Sequence, residues 1–256
     1  MAALIYAAKS ADCPYEIVLV TGDRLDAPGL DLAEAEGVPV ARIAAGTDKS
    51  TLFDALDQAI RESGATYVAL AGFMRILPAD FVARWDGRLV NIHPSLLPAH
   101  KGLRSHAAVL AAGERVTGCT VHLVSGDVDG GPILGSTAVA VLPGDTADAL
   151  AERVLIAEHQ LYPRILAELV AQETSPEALL DRVRELALAL PAAEEKLSHG
   201  SPGFFVTGGK FFAYFSANHH GDGRIALKLT ASGVGFADAS GLHAGEKIGE
   251  IGRAHV

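Results

Sequence analysis

The chain has 256 residues, 49% of them hydrophobic and 20% charged, which suits a globular protein of one large domain or two small ones. Its formal net charge of −10 sets it apart from nucleic-acid binders, which need basic faces to displace counterions. Two cysteines, Cys13 and Cys119, make neither a disulfide framework nor a zinc site; with no apolar run of ~18 residues and no signal peptide, a cytoplasmic protein without a metal is expected.

The first two thirds alternate strand and helix. Glu16–Thr21 (EIVLVT) and Val38–Ile43 (VPVARI) are short, apolar and β-rich. Ser50–Ser63 reads as a helix, with a Ser50/Thr51 cap signal and a stop at Gly64. Tyr67–Gly72 (YVALAG) is the next strand, Pro78–Trp85 the next helix, and Leu89–Ile92 (LVNI) the strand after it. Two more strand-like runs, Cys119–Val124 and Pro132–Val141, precede a long helix from about Thr146 to Val170. Such alternation predicts an α/β fold with a mostly parallel sheet and helices on both faces.

A domain boundary is expected near Gln172, giving domains at 1–172 and 173–231. Ser175-Pro176-Glu177 marks a helix start, with Ser175 as cap and Pro176 in the first turn. An acidic helix carrying Glu185, Glu194 and Glu195 argues against a nucleic-acid module here. Gly203–Ser216 (GFFVTGGKFFAYFS) reads as an aromatic hairpin turning at Gly208-Gly209, with Arg224–Thr230 as its next strand. His219 and His220, in NHHGDGR, read as a polar turn rather than a metal site. Adjacent strand residues point opposite ways.

The stretch RLVNIHPSLLPAHKG raises the chemical question. Ligands of open α/β sheets bind outside the carboxyl ends of the strands. Asn91 and His93 fall at such an end, and their spacing puts both side chains on one side. An amide N–H and a protonated imidazole can both donate to an oxygen that gains charge during acyl transfer. Pro94 and Pro98 would stop the strand and stiffen its exit. Further on, VSGDVDGGPIL offers Asp127 and Asp129 ahead of two glycines, a loop in which a carboxylate could orient His93 or receive a proton. A plain strand end and an ordinary Asp-Gly turn account for the same residues.

The ordered set LAGFMRILPADFV, RLVNIHPSLLPAHKGLRSHAAVLAAGE, GCTVHLVSGDVDGGPIL and AEHQLYP resembles folate-dependent phosphoribosylglycinamide formyltransferases, from about Met1 to Val170. The resemblance implies a Rossmann-like sheet and formyl transfer from 10-formyltetrahydrofolate, the cosubstrate, to the amine of glycinamide ribonucleotide in purine biosynthesis. It also implies that Asn91, His93 and Asp129 are the catalytic trio. Phe73, Met74, Arg75, Ile76 and Leu77, with Asp127, Val128 and Asp129, are similar to that family's folate pocket. Met74 and Ile76 serve equally well as core residues. Gly72, Lys49 and Glu158 match positions on the nucleotide side. Methionyl-tRNA formyltransferases share the Asn-x-His core but lack a proline after the histidine and carry a basic C-terminal domain.

Family members begin with a strand and a Gly-x-Gly-Ser/Thr-Asn loop ahead of the helix that reads here as MAALIYAAK. The resemblance therefore implies that the first strand and phosphate loop are missing and that the chain as written has little activity. The competing reading is a fragment that keeps only the folate-side half of the site. The second domain resembles the small α+β domains of the YjbR/MmcQ type, in part only. Residues 232–256 read as an irregular tail, and Glu250–Val256 as one frame of a sequencing adapter. The sequence leaves the oligomeric state open.

Overall fold

A computed structural model describes residues 1–44, 49–173, 175–198, 200–209, 211–217 and 225–229. The chain divides into a unit spanning residues 1–170 and a second from 171 onward. The histidine pair at 219 and 220 and the tail from 232 lie outside the described residues.

The first unit runs α1 (Ala2–Ala8), β1 (Val20–Gly22), α2 (Pro28–Ala35), β2 (Val40–Arg42), α3 (Lys49–Glu62), β3 (Val68–Leu70), α4 (Ala79–Arg84), β4 (Leu89–His93), α5 (Ser105–Ala111), β5 (Val116–Leu123), β6 (Ile133–Ala140) and α6 (Ala147–Glu173). Sequence reading passed over α2 and α5. Pro28 opens α2, where its fixed φ suits the first turn. The long helix begins with Thr146 Oγ1 accepting from the Ala149 N–H.

The sheet is not mostly parallel. β1 pairs with β2 in parallel, and β3 with β4 in parallel, but β4–β5 and β5–β6 are antiparallel. The segment between β4 and β5 holds a helix, which in a sequence looks like the crossover of a parallel pair. Here β5 instead comes back alongside β4. Among the described residues β1–β2 and β3–β4–β5–β6 are separate sheets. Between them lies a cavity of about 410 Å³.

Two apolar clusters hold this unit. The first gathers Val90 and Val121 with Leu150, Val154, Leu161, Ile165 and Leu166 of α6. The second joins Leu52, Phe53, Leu56 and Ile60 of α3 to Phe81, Val82 and Trp85. In it Trp85 donates its indole N–H to Asp57 Oδ1 at 2.8 Å, which answers the one polar group on a buried ring. The two clusters are tied by Tyr162, whose buried hydroxyl lies 2.9 Å from the Val90 carbonyl and 3.1 Å from that of Leu70.

The second unit holds α7 (Pro176–Leu188) and an antiparallel sheet of β7 (Ala193–Ser198), β8 (Ser201–Val206), β9 (Phe211–Ala217) and β10 (Ile225–Leu229), ordered β10-β9-β8-β7. Ser175 caps α7 by accepting from the Ala178 N–H at 3.1 Å. Glu194 and Glu195 are not helical: they lie on β7, opposite Phe205 and Phe204. The helix stops just before Pro191, as the residue preceding a proline avoids the helical region. Glu195 then pairs back with Arg184 of α7 at 2.9 Å. Phe204, Ala213 and Ala187 form this unit's small core.

Candidate active site

The site is built where β4 ends. Asn91 and His93 occupy alternate positions, so both side chains leave the strand on one side. The antiparallel register sets Asn91 opposite His122 and His93 opposite Thr120. Thr120 and His122 are themselves alternate residues of β5, and both are buried. One stripe of this sheet is therefore polar and enclosed, and each group on it needs a partner.

The partners are present. Thr120 donates to the Ser95 carbonyl at 2.7 Å and accepts from the Leu97 N–H at 3.1 Å. These bonds fasten the proline-flanked loop that follows His93. Ser95 Oγ donates to the Ala99 carbonyl at 2.6 Å and tightens the same loop.

Asp129 arrives from the β5–β6 connection. Its backbone is left-handed, at φ 48°. At Gly131 a Cβ would lie 1.9 Å from the Leu123 carbonyl oxygen, so the chain can pass there only as glycine. That close passage turns the Asp129 carboxylate back over the end of β4. Its Oδ2 accepts from the Gly102 N–H at 2.8 Å and lies 3.2 Å from His93 Nδ1. Its Oδ1 lies 3.5 Å from His122 Nε2.

His93 is 5% exposed and has an acceptor on each side. Nδ1 faces Asp129, and Nε2 is 2.9 Å from the His100 carbonyl. A carbonyl only accepts, so Nε2 carries a proton. Nδ1 lies against the Asp129 carboxylate on the opposite side of the ring. His122 is set differently. Its Nδ1 donates to the Leu123 carbonyl at 2.9 Å, and Nε2 lies 3.3 Å from Asn91 Nδ2. When neutral, Nε2 accepts from that amide; when protonated, it donates toward Asp129. His106 stands close by, its proton affinity lowered by burial and then by the charge on His93.

The other sequence-chosen residues spread around this centre. Gly72 follows β3 with φ at 79°, a left-handed turn that suits glycine. Phe73 meets Phe53 edge-on at 6.2 Å, and Leu77 packs on the second cluster. Met74 and Ile76 are not core residues: they are 78% and 82% exposed. Arg75, between them, pairs with Asp23. Val128 and Asp127 are exposed at the loop crest. Glu158 lies on α6, and burial raises its carboxyl above the ordinary range. Its charge also reaches Cys119, whose thiol burial pushes up to about 12. Lys49 begins α3, and its side chain lies outside the described residues. Among the described residues no group of His, Cys, Asp and Glu could hold a metal ion, and no helix is long and apolar enough to cross a membrane.

Residues 1–166 match the family described as formyl transferase. The chain belongs to that family. Among its formyl transferase relatives, phosphoribosylglycinamide formyltransferase of Escherichia coli is 38% identical over 167 residues, covering 64% of this chain and 79% of that protein. The trifunctional purine biosynthetic protein adenosine-3 of Bos taurus is 46% identical over 171 residues, or 66% of this chain. The chain spans only 17% of the length of that trifunctional relative. The crystal structure of phosphoribosylglycinamide formyltransferase from Brucella melitensis superposes with a TM-score of 0.63 at 46% identity, over 66% of this chain and 88% of that one.

Sequence reading missed His122 and Thr120 in this candidate site. A signal was there to find: Thr-Val-His alternates polar and apolar inside a run that is otherwise apolar. Buried polar residues at a spacing of two mark a strand face that carries partners.

Proposed function

We propose that this formyl transferase moves a formyl group from 10-formyltetrahydrofolate to the amine of glycinamide ribonucleotide, a step of purine biosynthesis. One observation carries the reading: Asn91 and His93 leave the end of β4 on one side, and the Asp129 carboxylate closes over it 3.2 Å from His93 Nδ1. The relatives named phosphoribosylglycinamide formyltransferase point the same way.

The amine nitrogen attacks the formyl carbon, and the carbonyl oxygen takes up negative charge. Asn91 Nδ2 and the His93 imidazolium donate to that oxygen, His93 exchanging the His100 carbonyl for it. Asp129 holds the imidazolium in its charged form and favours loss of a proton from the attacking nitrogen. The bond from carbon to the folate nitrogen then breaks, and that nitrogen takes up a proton. Phe73–Leu77 and Asp127–Asp129 receive the pterin, with Met74, Ile76 and Val128 giving it apolar contact. Gly72, Glu158 and Lys49 are assigned to the nucleotide side on their sequence match alone. The reading places the chain in the cytoplasm with small-molecule partners. The second unit's likeness to YjbR/MmcQ-type domains rests on its sequence and adds no step.

The test is formyl transfer by the purified chain, with folate-analogue binding measured separately. Wild type is expected to form the formylated nucleotide, against the little activity that the resemblance implies for the chain as written, and His93→Ala, made in a full-length version, to lose turnover by ~10² to 10³ while keeping folate binding. Folate binding without any transfer by wild type would overturn the reading.

A further inference from the structure

We propose that Asp23 is a positioning residue for folate binding: by holding Arg75 it fixes the loop that presents Met74 and Ile76. The inference deepens the proposed function and rests on its assignment of residues 73–77 to the pterin.

The loop alternates between anchored and presented positions. Phe73 meets Phe53 edge-on, and Leu77 packs against the second apolar cluster. Arg75, midway between them, donates from Nε to Asp23 Oδ2. Met74 and Ile76 stand out in solvent between these three anchors. Alternate residues of an extended chain leave on opposite sides, so fastening 73, 75 and 77 turns 74 and 76 outward together. Two of the anchors are apolar and belong to the cluster below the loop. The third is ionic and reaches a different connection, the one that follows β1.

Asp23 is held in place for this task. It follows Gly22 at the end of β1, where Thr21 Oγ1 donates to the Ala41 carbonyl at 2.8 Å and ties that end to β2. The next residue, Arg24, is engaged by Asp26 through two contacts of 3.3 Å, which leaves Arg75 as the cation on Asp23. The Asp23 side chain is 21% exposed against 41% for Arg75, so the carboxylate is the enclosed end of the pair and the guanidinium the tethered one. Apolar side chains as large as Met74 and Ile76 gain by folding onto neighbouring apolar surface. A tether at Arg75 opposes that collapse and keeps both available to a ligand, which lowers the ordering cost of binding. Pairs this open add little to global stability. The loss of this one is therefore expected in affinity rather than in melting.

Folic acid, which carries the pterin without a formyl group, is titrated into the full chain by calorimetry. Asp23→Ala is expected to weaken its binding by about threefold to fivefold and to leave Tm within about 3 °C of wild type. Asp26→Ala removes the same charge and another open ion pair nearby, and serves as the control; its Kd is expected to stay within about twofold of wild type. Added to Arg75→Ala, the Asp23 change is expected to cost nothing further, because its effect runs through that guanidinium. In about 1 M salt, where the Debye length falls to about 3 Å, the ratio between wild type and Asp23→Ala is expected to shrink toward one. Equal affinity of Asp23→Ala and Asp26→Ala would overturn the positioning role and leave the folate reading standing. So would a full further loss in the Arg75→Ala background, or a ratio that salt does not move. A large fall in Tm that tracks the loss of affinity would assign Asp23 to the fold and overturn the role too. No saturable binding of folic acid by wild type would overturn the folate reading, and this role with it.

Discussion

His122 stands directly across the β4–β5 ladder from Asn91, with its Nε2 3.3 Å from the Asn91 amide nitrogen and 3.5 Å from Asp129 Oδ1. One buried imidazole thus touches both the strand-end amide and the loop carboxylate. Its other nitrogen is fixed by the Leu123 carbonyl. The ring cannot swing away without leaving a buried donor unpaired.

Replacing that ring is expected to cost stability as well as activity. His122→Leu removes the partner of Asn91 Nδ2 and of Asp129 Oδ1, a loss on the order of 1–3 kcal/mol. His122→Gln keeps a donor and an acceptor and should lose less. Urea unfolding of both variants, beside their turnover, checks this. Equal stability of wild type and the leucine variant would remove His122 from the network.

Gly131→Ala is expected to dislodge Asp129. The added carbon would meet the Leu123 carbonyl oxygen at 1.9 Å, and backbone must move to make room. Gly126→Ala lies in the same connection with open space at its Cβ and serves as the control. Turnover should fall in the first variant and hold within about threefold in the second. Comparable turnover in both would show that the loop has room to spare.

Glu158 should make stability fall as pH rises. Burial lifts its carboxyl above the ordinary 4.5, so the folded chain holds this proton more tightly than the unfolded one. Its contribution is fully present below 4.5 and is lost as pH climbs through the raised value. Glu158→Gln stays neutral throughout and should lack that loss. Melting temperatures of both forms from pH 4.5 upward decide it; parallel curves would contradict the assignment.

Asp145 has the opposite sign. The Arg153 guanidinium, in a forked contact at 2.7 and 3.0 Å, and then the Leu142 N–H hold its carboxyl down at about 2. Stability from this pair is present above the ordinary 3.8 and is lost as pH falls toward about 2. Asp145→Asn should therefore be weaker than wild type at pH 6 and converge on it near pH 2. A gap that stays constant down to pH 2 would count against the carboxylate.

Much of this was legible before folding was considered. Asn91 and His93 are two residues apart in a run of strand formers, and alternation alone puts them on one side. Asp129 precedes two glycines, and Gly131 proves to be the point where only glycine fits. His122 escaped notice because a single histidine in an apolar run has no chemistry until a partner strand is laid beside it. The pairing direction of β5 was illegible for a related reason. Alternation records which face is buried but not which way a neighbour runs. The short connection holding Ser105–Ala111 looks the same whether the next strand comes back parallel or antiparallel. Glu194 and Glu195 misled because charge suggests an exposed helix, whereas a two-sided edge strand carries it as well.

The chain's one tryptophan is Trp85. It is enclosed among Leu52, Phe53, Leu56 and Ile60, with Arg61 and Arg88 lying over its ring at 5.6 and 5.5 Å. Its emission colour therefore reports on the first unit and is silent about the second. Excitation at the red edge of protein absorption, where tyrosine contributes little, isolates that ring. A red shift on heating marks the loss of the α3–α4 cluster, while far-ultraviolet dichroism sums over both units. The difference between the two melting traces separates the unfolding of the first unit from that of the second, without a label or a cut in the chain.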